Sequence, residues 1–432
     1  MLLDVPTFGR NFLYAKAKVI NTSLVPDSLA KVTSIEGAQE VNPESVGMTP
    51  ANIRHIWQAV EGVYETGTHP AMSLCVRRKG QIILHRSIGY ASGNGPKDAC
   101  DAPKVLMRPE TPMCYFSASK AVTALLIHML NEQKLLNLHD PISFYLPEFA
   151  KNGKKNTTIH QVLSHRSGVP GLPEGLPVET LWDNDTIWRL LCDAEPASPR
   201  GDKLAYHALT GGYILERVVE KVTGESIQTL LDKRIRKPMG MKYFRYGIEE
   251  KYSDRLATNY AMGIKPVFPI STLIKRALGG PLDLVEQVIN DPRFHAAVIP
   301  AGNIMGTAEE MNRFFQMMLN GGVWNGTRVA KEITIRRAVQ EVASVQFDRT
   351  LMLPMRYSAG MMLGGKPIGM WGANSSASYG HIGLINKMAW ADPKRELSVS
   401  LMNSGIPILA NSIPSLVRFV NTVSKNCSIT TS

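Results

Sequence analysis

The stretch Thr111-Pro-Met-Cys-Tyr-Phe-Ser117-Ala118-Ser119-Lys120-Ala121-Val-Thr-Ala-Leu-Leu-Ile-His-Met-Leu130 carries the reading of the whole chain. From Ala121 to Leu130 nearly every helical face is apolar, with Thr123 and His128 the interruptions, and a helix apolar all round is a buried one. The pattern predicts a helix within Thr111 to Leu135. At its head stands Ser117-x-x-Lys120. A serine and a lysine three residues apart lie on one face a turn apart, so the amine can reach the hydroxyl. The positive end of the helix favours an alkoxide there, and burial disfavours the ammonium, leaving a neutral amine as a base. A second such spacing, Ser28-Leu-Ala-Lys31, lies in a polar stretch where nothing would desolvate the lysine. Lys120, beside the most apolar run in the chain, demands a partner.

Upstream of this segment, Thr49-Pro50 supplies a cap and a first-turn proline for a helix over Ala51 to Thr66. Met72–Arg77 and Gln81–His85 around Lys79-Gly80 then read as a hairpin. Downstream, from about 140 to 295, proline, glycine and polar breaks separate helical stretches at Thr158–Leu163, Ile187–Cys192, Gly211–Thr223 and Ser226–Lys233. A capped helix follows at Thr307–Leu319, then strands at Tyr357–Leu363, Asn386–Ala391 and Leu397–Asn403, and a last helix near Ile413–Val423. Strands thus gather at both ends of the chain and helices in the middle. The expected fold is α/β (α+β): an antiparallel sheet flanked by helices, with an inserted, mostly helical domain. The boundaries read as an N-terminal arm at 1–45, an α/β domain from 46–138 and 297–432, and the helical insertion at 139–296.

Composition narrows the function. The chain has 432 residues, 44% of them hydrophobic, enough for a sizeable core. Lys plus Arg exceed Asp plus Glu by 48 − 37 = +11, which raises nucleic acid, membrane or acidic substrate as partners. The densest basic cluster, Lys233-Arg234-Ile-Arg236-Lys237, carries no nucleic-acid motif, so the charge reads as surface composition and no nucleic-acid partner is expected. The cysteines, Cys75, Cys100, Cys114, Cys192 and Cys427, are odd in number and form no C-x-x-C pair, a pattern of reduced thiols in a cytoplasmic protein with no metal site. The N-terminal residues do not read as a signal peptide, and the longest apolar run is about half the roughly 20 residues needed to span a bilayer. G-x-S-x-G and H-E-x-x-H are absent, and Gly360-Met-Met-Leu-Gly364-Gly365 lacks the Lys-Ser/Thr of a phosphate loop. No cofactor is expected.

Two further elements bear on the Ser117–Lys120 pair. In Tyr206-His207-Ala208, a tyrosine near the pair can carry a proton to a leaving group. In Tyr379-Gly380-His381-Ile382-Gly383-Leu384, a Gly-His-x-Gly edge lets backbone approach a bound ester, with the amide after Gly383 aimed at the carbonyl oxygen. Tyr206 as a core tyrosine and His381 as a satisfied edge histidine are equally open readings.

In order and spacing these elements resemble serine hydrolases of the class C β-lactamase and penicillin-binding type, with the pattern S-x-x-K, Y-x-N, then K-T-G or H-x-G. Flanking stretches are similar to that family too: Asp140–Pro147, Thr158–Gly168, Lys237–Met241 and Pro300–Thr307. The resemblance implies the β-lactamase/transpeptidase-like fold, Ser117 as the acylated nucleophile, Lys120 as its base partner and Tyr206 as general acid/base. It also implies an oxyanion hole of the Ser117 and Leu384 backbone amides, with His381, Gly383 and Ala208 on the substrate side. Two positions depart from the pattern: Ala208 stands for the asparagine and His381 for the lysine. Both departures argue against efficient β-lactam or peptidoglycan chemistry and toward the family VIII carboxylesterases. The expected function is hydrolysis of small-molecule carboxylic esters through a Ser117 acyl-enzyme. Acyl transfer, β-lactam or D-amino-acid peptide hydrolysis, and a non-catalytic binding protein of the same fold are the alternatives. Lys265–Gly280 could line an acyl pocket or be an ordinary loop, and Met352, Met355, Met361 and Met362 could face that pocket or fill the core.

Overall fold

The computed structural model describes residues 20–173, 175–198, 200–265, 271, 282–384, 386–407 and 411–430. Its centre is an antiparallel sheet of β1 (Thr33–Ile35), β2 (Ala71–Arg78), β3 (Gln81–Ser92), β4 (Met362–Leu363), β5 (Tyr379–Gly383), β6 (Lys387–Asp392) and β7 (Leu397–Asn403). The order across the sheet is β4-β5-β6-β7-β2-β3-β1, with Val105–Leu106 added beside β3. The seam between the two halves of the chain is β7 on β2, where Val399 pairs with Val76 and Leu401 with Leu74. The antiparallel sheet drawn from both ends of the sequence is therefore present.

Both faces of that sheet are covered, and the polar side chains that alternate along its strands, Ser73, Arg77, Ser398 and Ser400, are buried with the rest. Leu74, Val76, Trp390 and Val399 join a core with α1 (Pro50–Tyr64) and the C-terminal helix Ser412–Asn426. Cys75, Ala389 and Ala391, one residue out of phase, join the opposite core with α2 (Ser119–Glu132) and the helix Ala308–Leu319. The two-residue period of a strand sorts neighbours to opposite faces. Helix starts are set locally: Thr49 accepts the amide of Asn52 at 3.2 Å, and Thr307 that of Glu310 at 3.1 Å. Between residues 139 and 296 the described elements are mainly short helices around α3 (Thr210–Thr223), with strands at Arg245–Tyr246 and Tyr260–Ile264.

Several elements differ from the sequence reading. The helix expected within Thr111–Leu135 starts only at Ser119, because Met113–Cys114 is a strand paired with Ile304–Gly306 and Phe116 adopts a left-handed φ of 49°. Of Tyr357–Leu363 only Met362–Leu363 is strand. Gly360, at φ 128°, brings the chain so close to α2 that a Cβ there would lie 2.2 Å from that of Ala124. The Gly-His-x-Gly edge read from the sequence is itself a strand, β5. The N-terminal arm is partly woven in: Thr33–Ile35 edges the main sheet, and Ile20–Asn21 pairs with Tyr260–Ile264. Residues 1–19 and most of Lys265–Gly280 lie outside the described residues. Met355, Met361 and Met362 are core residues and Met352 is exposed, so these four do not form one pocket wall. Two cations of the basic cluster are paired with acids nearby, Lys233 with Glu225 and Arg236 with Asp232. No described helix is long and apolar enough to cross a membrane, and no group of three or more potential metal ligands occurs among the described residues.

Candidate active site

From Pro112 to Leu130 every residue is buried except Ser117 and Lys120. Two polar side chains that break so long a buried run mark the place where the interior opens. Ser117 lies in the 3-10 turn Phe116–Ala118 that enters α2. That turn is clamped from behind: Tyr115 donates its amide to Ile304 at 2.9 Å and its hydroxyl to Thr307 at 2.6 Å, and Ser119 accepts the Ile304 amide at 3.0 Å. The alternative pair Ser28 and Lys31 is exposed on the surface.

The partner Lys120 demanded is not a carboxylate. Its Nζ donates to Ser117 Oγ at 3.1 Å, to the Ala208 carbonyl at 2.7 Å and to the Ala301 carbonyl at 2.9 Å. Desolvation, with no carboxylate to oppose it, pulls the amine down from 10.5 to about 7. Ala208, expected on the substrate side, thus holds the lysine through its backbone. Close packing builds this arrangement: Gly212 of α3 sits where a Cβ would meet the Ala301 amide nitrogen at 2.5 Å.

Tyr206 lies beside the pair, with Lys120 Nζ 5.0 Å from its ring centroid. Burial raises its phenol well above the usual range, and a hydrogen bond with Ser117 opposes that rise. The phenol is therefore neutral near pH 7 and able to donate. His381 on β5 is buried, its ring centroid 6.3 Å from that of Tyr206. Its Nδ1 faces the Ile382 carbonyl at 2.8 Å and must carry the proton, and burial together with Lys120 pulls the ring down to about 3. A neutral imidazole is no cationic carboxylate clamp. Gly383 meets the Ser117 turn directly: a Cβ would fall 1.9 Å from the Tyr115 carbonyl oxygen and 3.3 Å from the Ala118 amide. Leu384 follows in a left-handed turn at φ 35°. Ser117, Lys120, Ala208, Tyr206, His381, Gly383 and Leu384 are thus gathered into one neighbourhood.

Sequence reasoning missed three supports. Asp348, fully buried, accepts the amides of Tyr206, Thr350 and Leu351 at 3.1, 2.9 and 3.0 Å. An aspartate in Asp-Arg-Thr reads as an ordinary turn residue. His165 packs on Tyr206 in a tilted arrangement at 4.6 Å between ring centroids and accepts the His207 amide at 3.1 Å, while His207 faces the Ser167 hydroxyl at 2.6 Å. Lys120, His165 and His207 line one cavity of about 30 Å³. Lys387, buried and pulled down by burial to about 8, lies 5.0 Å from the Phe116 ring centroid and donates to Asn403 and Asn259. An Asp348→Ala variant leaves three amides without their acceptor, and each such loss costs about 1–3 kcal/mol. The expected result is a lower melting temperature and a kcat reduced by roughly 10–100-fold with KM nearly unchanged, since Tyr206 loses its anchor. Asp348→Asn, which keeps one acceptor oxygen, recovers part of both.

Comparison with known proteins places this geometry. The chain is 28% identical over 349 residues, 77% of its own length and 76% of the relative's, to the esterase/beta-lactamase LipL of Mycobacterium tuberculosis. Among solved structures, a penicillin-binding protein homologue from Caulobacter crescentus superposes with a TM-score of 0.75 at 24% identity, over 88% of this chain and 99% of that one. A family VIII carboxylesterase superposes with a TM-score of 0.73 at 24% identity, over 87% and 98%. The fold is the β-lactamase/transpeptidase-like fold. The sequence model of the Beta-lactamase family matches residues 52–412, and the chain belongs to that family.

Proposed function

We propose that this serine hydrolase of the β-lactamase fold is a carboxylesterase working through a Ser117 acyl-enzyme. The observation that carries the proposal is Lys120 Nζ at 3.1 Å from Ser117 Oγ, held by two carbonyls and lowered to about 7. Such an amine is neutral in a large share of molecules at pH 7 and accepts the serine proton as Oγ attacks the ester carbonyl. We assign the oxyanion to the Ser117 and Leu384 amides, carried by segments that meet where Gly383 packs on the Ser117 turn. As the tetrahedral adduct collapses, the C–O bond to the alcohol breaks and neutral Tyr206 supplies that oxygen's proton, regaining one from Lys120, which took it from Ser117 on attack. Water then adds to the acyl carbonyl by the reverse path, releasing the acid and restoring Ser117. Neutral His381 and apolar Ala208 favour an uncharged acyl group, and the esterases among the similar proteins support the same substrate class.

Turnover of p-nitrophenyl esters from acetate to palmitate, compared with nitrocefin, tests the reading, with intact mass after a slow ester as the direct view of the acyl-enzyme. Ester turnover should exceed nitrocefin turnover, and the acyl mass shift should be absent from Ser117→Ala. Nitrocefin hydrolysis as fast as that of the butyrate ester would overturn it. The pH profile adds a second check. Protonated Lys120 cannot act as a base, so kcat/KM should fall about tenfold per pH unit below about 7 and level off above.

A further inference from the structure

Fifteen large apolar side chains are exposed among the described residues, and most stand singly. Four lie within nine residues of sequence: Val345, Phe347, Met352 and Leu353, each about half exposed. They belong to one hairpin, Gln346–Asp348 paired with Leu353–Met355, in which Phe347 stands opposite Pro354, also exposed. The hairpin is tied down from within. Asp348 holds the turn and the Tyr206 amide, Arg166 donates to Gln346, and Met355 is buried. Phe347 and Pro354 share one face of this ladder, and Leu353, opposite Asp348, lies on the other, so the exposed apolar side chains rim a hairpin that is itself held rigid. Single exposed residues need no explanation, but a rigid group of them within one hairpin does.

Charge decides what this apolar rim suits. Between 342 and 355 the charged residues are Asp348, buried, and Arg349, exposed. Arg349 donates its amide to the Leu204 carbonyl at 3.1 Å, which places it next to exposed Lys203. Of the nearby acids, Glu341 is paired with Arg356 at 2.7 Å, and Asp202, exposed beside Lys203, accepts the Ser198 hydroxyl at 2.6 Å. An apolar rim with cations at its flank, on a chain of net charge +11, complements an anionic lipid surface. We propose that this hairpin docks the protein onto anionic membrane lipid, with Phe347 and Leu353 in the acyl boundary and Arg349 and Lys203 at the phosphates. Asp348 of the same hairpin also accepts the Tyr206 amide, so the docked segment is tied directly to the proposed site. Resting on the esterase reading, the substrates so reached are amphiphilic esters held in lipid.

Sedimentation of the full chain with vesicles of equal parts phosphatidylglycerol and phosphatidylcholine tests the proposal. Wild type should pellet, and at least about fivefold less should pellet with phosphatidylcholine alone or after Arg349→Glu. A Phe347→Ser/Leu353→Ser variant should stay in the supernatant while turning over p-nitrophenyl acetate at the wild-type rate. Ser117→Ala should pellet like wild type, which separates docking from the esterase reading. Wild type remaining in the supernatant overturns the proposal, as does equal pelleting of the double variant. So does a dimer seen by light scattering that the double variant loses while vesicle binding is absent, since a second copy would then be the occupant. If the double variant fails to fold, Arg349→Glu decides alone, and unchanged pelleting there overturns the proposal.

Discussion

Lys120→Met should lower kcat on p-nitrophenyl butyrate by about 10³-fold or more and flatten the dependence of stability on pH between 7 and 10. The first effect follows from removing the only amine within hydrogen-bond reach of Ser117 Oγ among the described residues. The second follows from linkage. Lys120 is held near 7 in the folded chain and titrates near 10.5 when unfolded, so between those values the unfolded chain binds the extra proton. Stability therefore rises with pH across this window, by at most roughly 1.4 kcal/mol per pH unit and less where the cleft admits solvent. The unfavourable contribution is complete below about pH 7 and gone above 10.5. Denaturant unfolding of both proteins at a series of pH values reads the difference. Parallel curves would show that burial does not perturb the lysine, and the base assignment would go with it.

Gly383→Ala should be as severe for a different reason. A methyl group there would sit 1.9 Å from the Tyr115 carbonyl oxygen, with backbone rather than a flexible side chain on the other side. Either β5 or the nucleophile turn must move, and the turn is held by Ile304 and Thr307. Shifts near 1 Å at reacting groups cost about 10²-fold in rate. The expected outcome is a 10²-fold or greater loss of kcat/KM with a lower melting temperature. Gly380→Ala, with its own clash at the Ala389 carbonyl oxygen, should cost stability as well but strikes β6 rather than Ser117. Comparable activity losses in the two variants would mean that the Gly383 contact has no special part in catalysis.

The parts of the fold that were legible in the sequence are those written in periodicity and caps. The apolar run behind Ser117, the Thr49-Pro50 start and the Thr307 cap each have a local cause, and the helices at Pro50–Tyr64 and Ala308–Leu319 stand within a few residues of their expected places. What escaped depends on partners far along the chain. Strand β5 reads only as a Gly-His-x-Gly edge because its glycines answer to Ala389 and Tyr115, not to their neighbours. Asp348 looks like a turn residue because its most distant partner, the Tyr206 amide, is 142 positions away. In the candidate site, Ser117 and Lys120 declared themselves as polar residues inside an apolar run. Ala208 was named for its missing side chain, whereas the structure uses its carbonyl.

That carbonyl has a consequence for how the site guards itself. The two oxygens that hold Lys120 come from positions 93 residues apart, 301 − 208, one just before α3 and the other beyond it. The amine keeps its lowered proton affinity only while both are seated and water is kept away. Any loosening that separates α2 from either segment rehydrates the lysine, restores its ordinary affinity for a proton and removes the base. Loss of shape and loss of reactivity are then one event: a partly opened molecule carries an inert serine instead of an unguarded nucleophile.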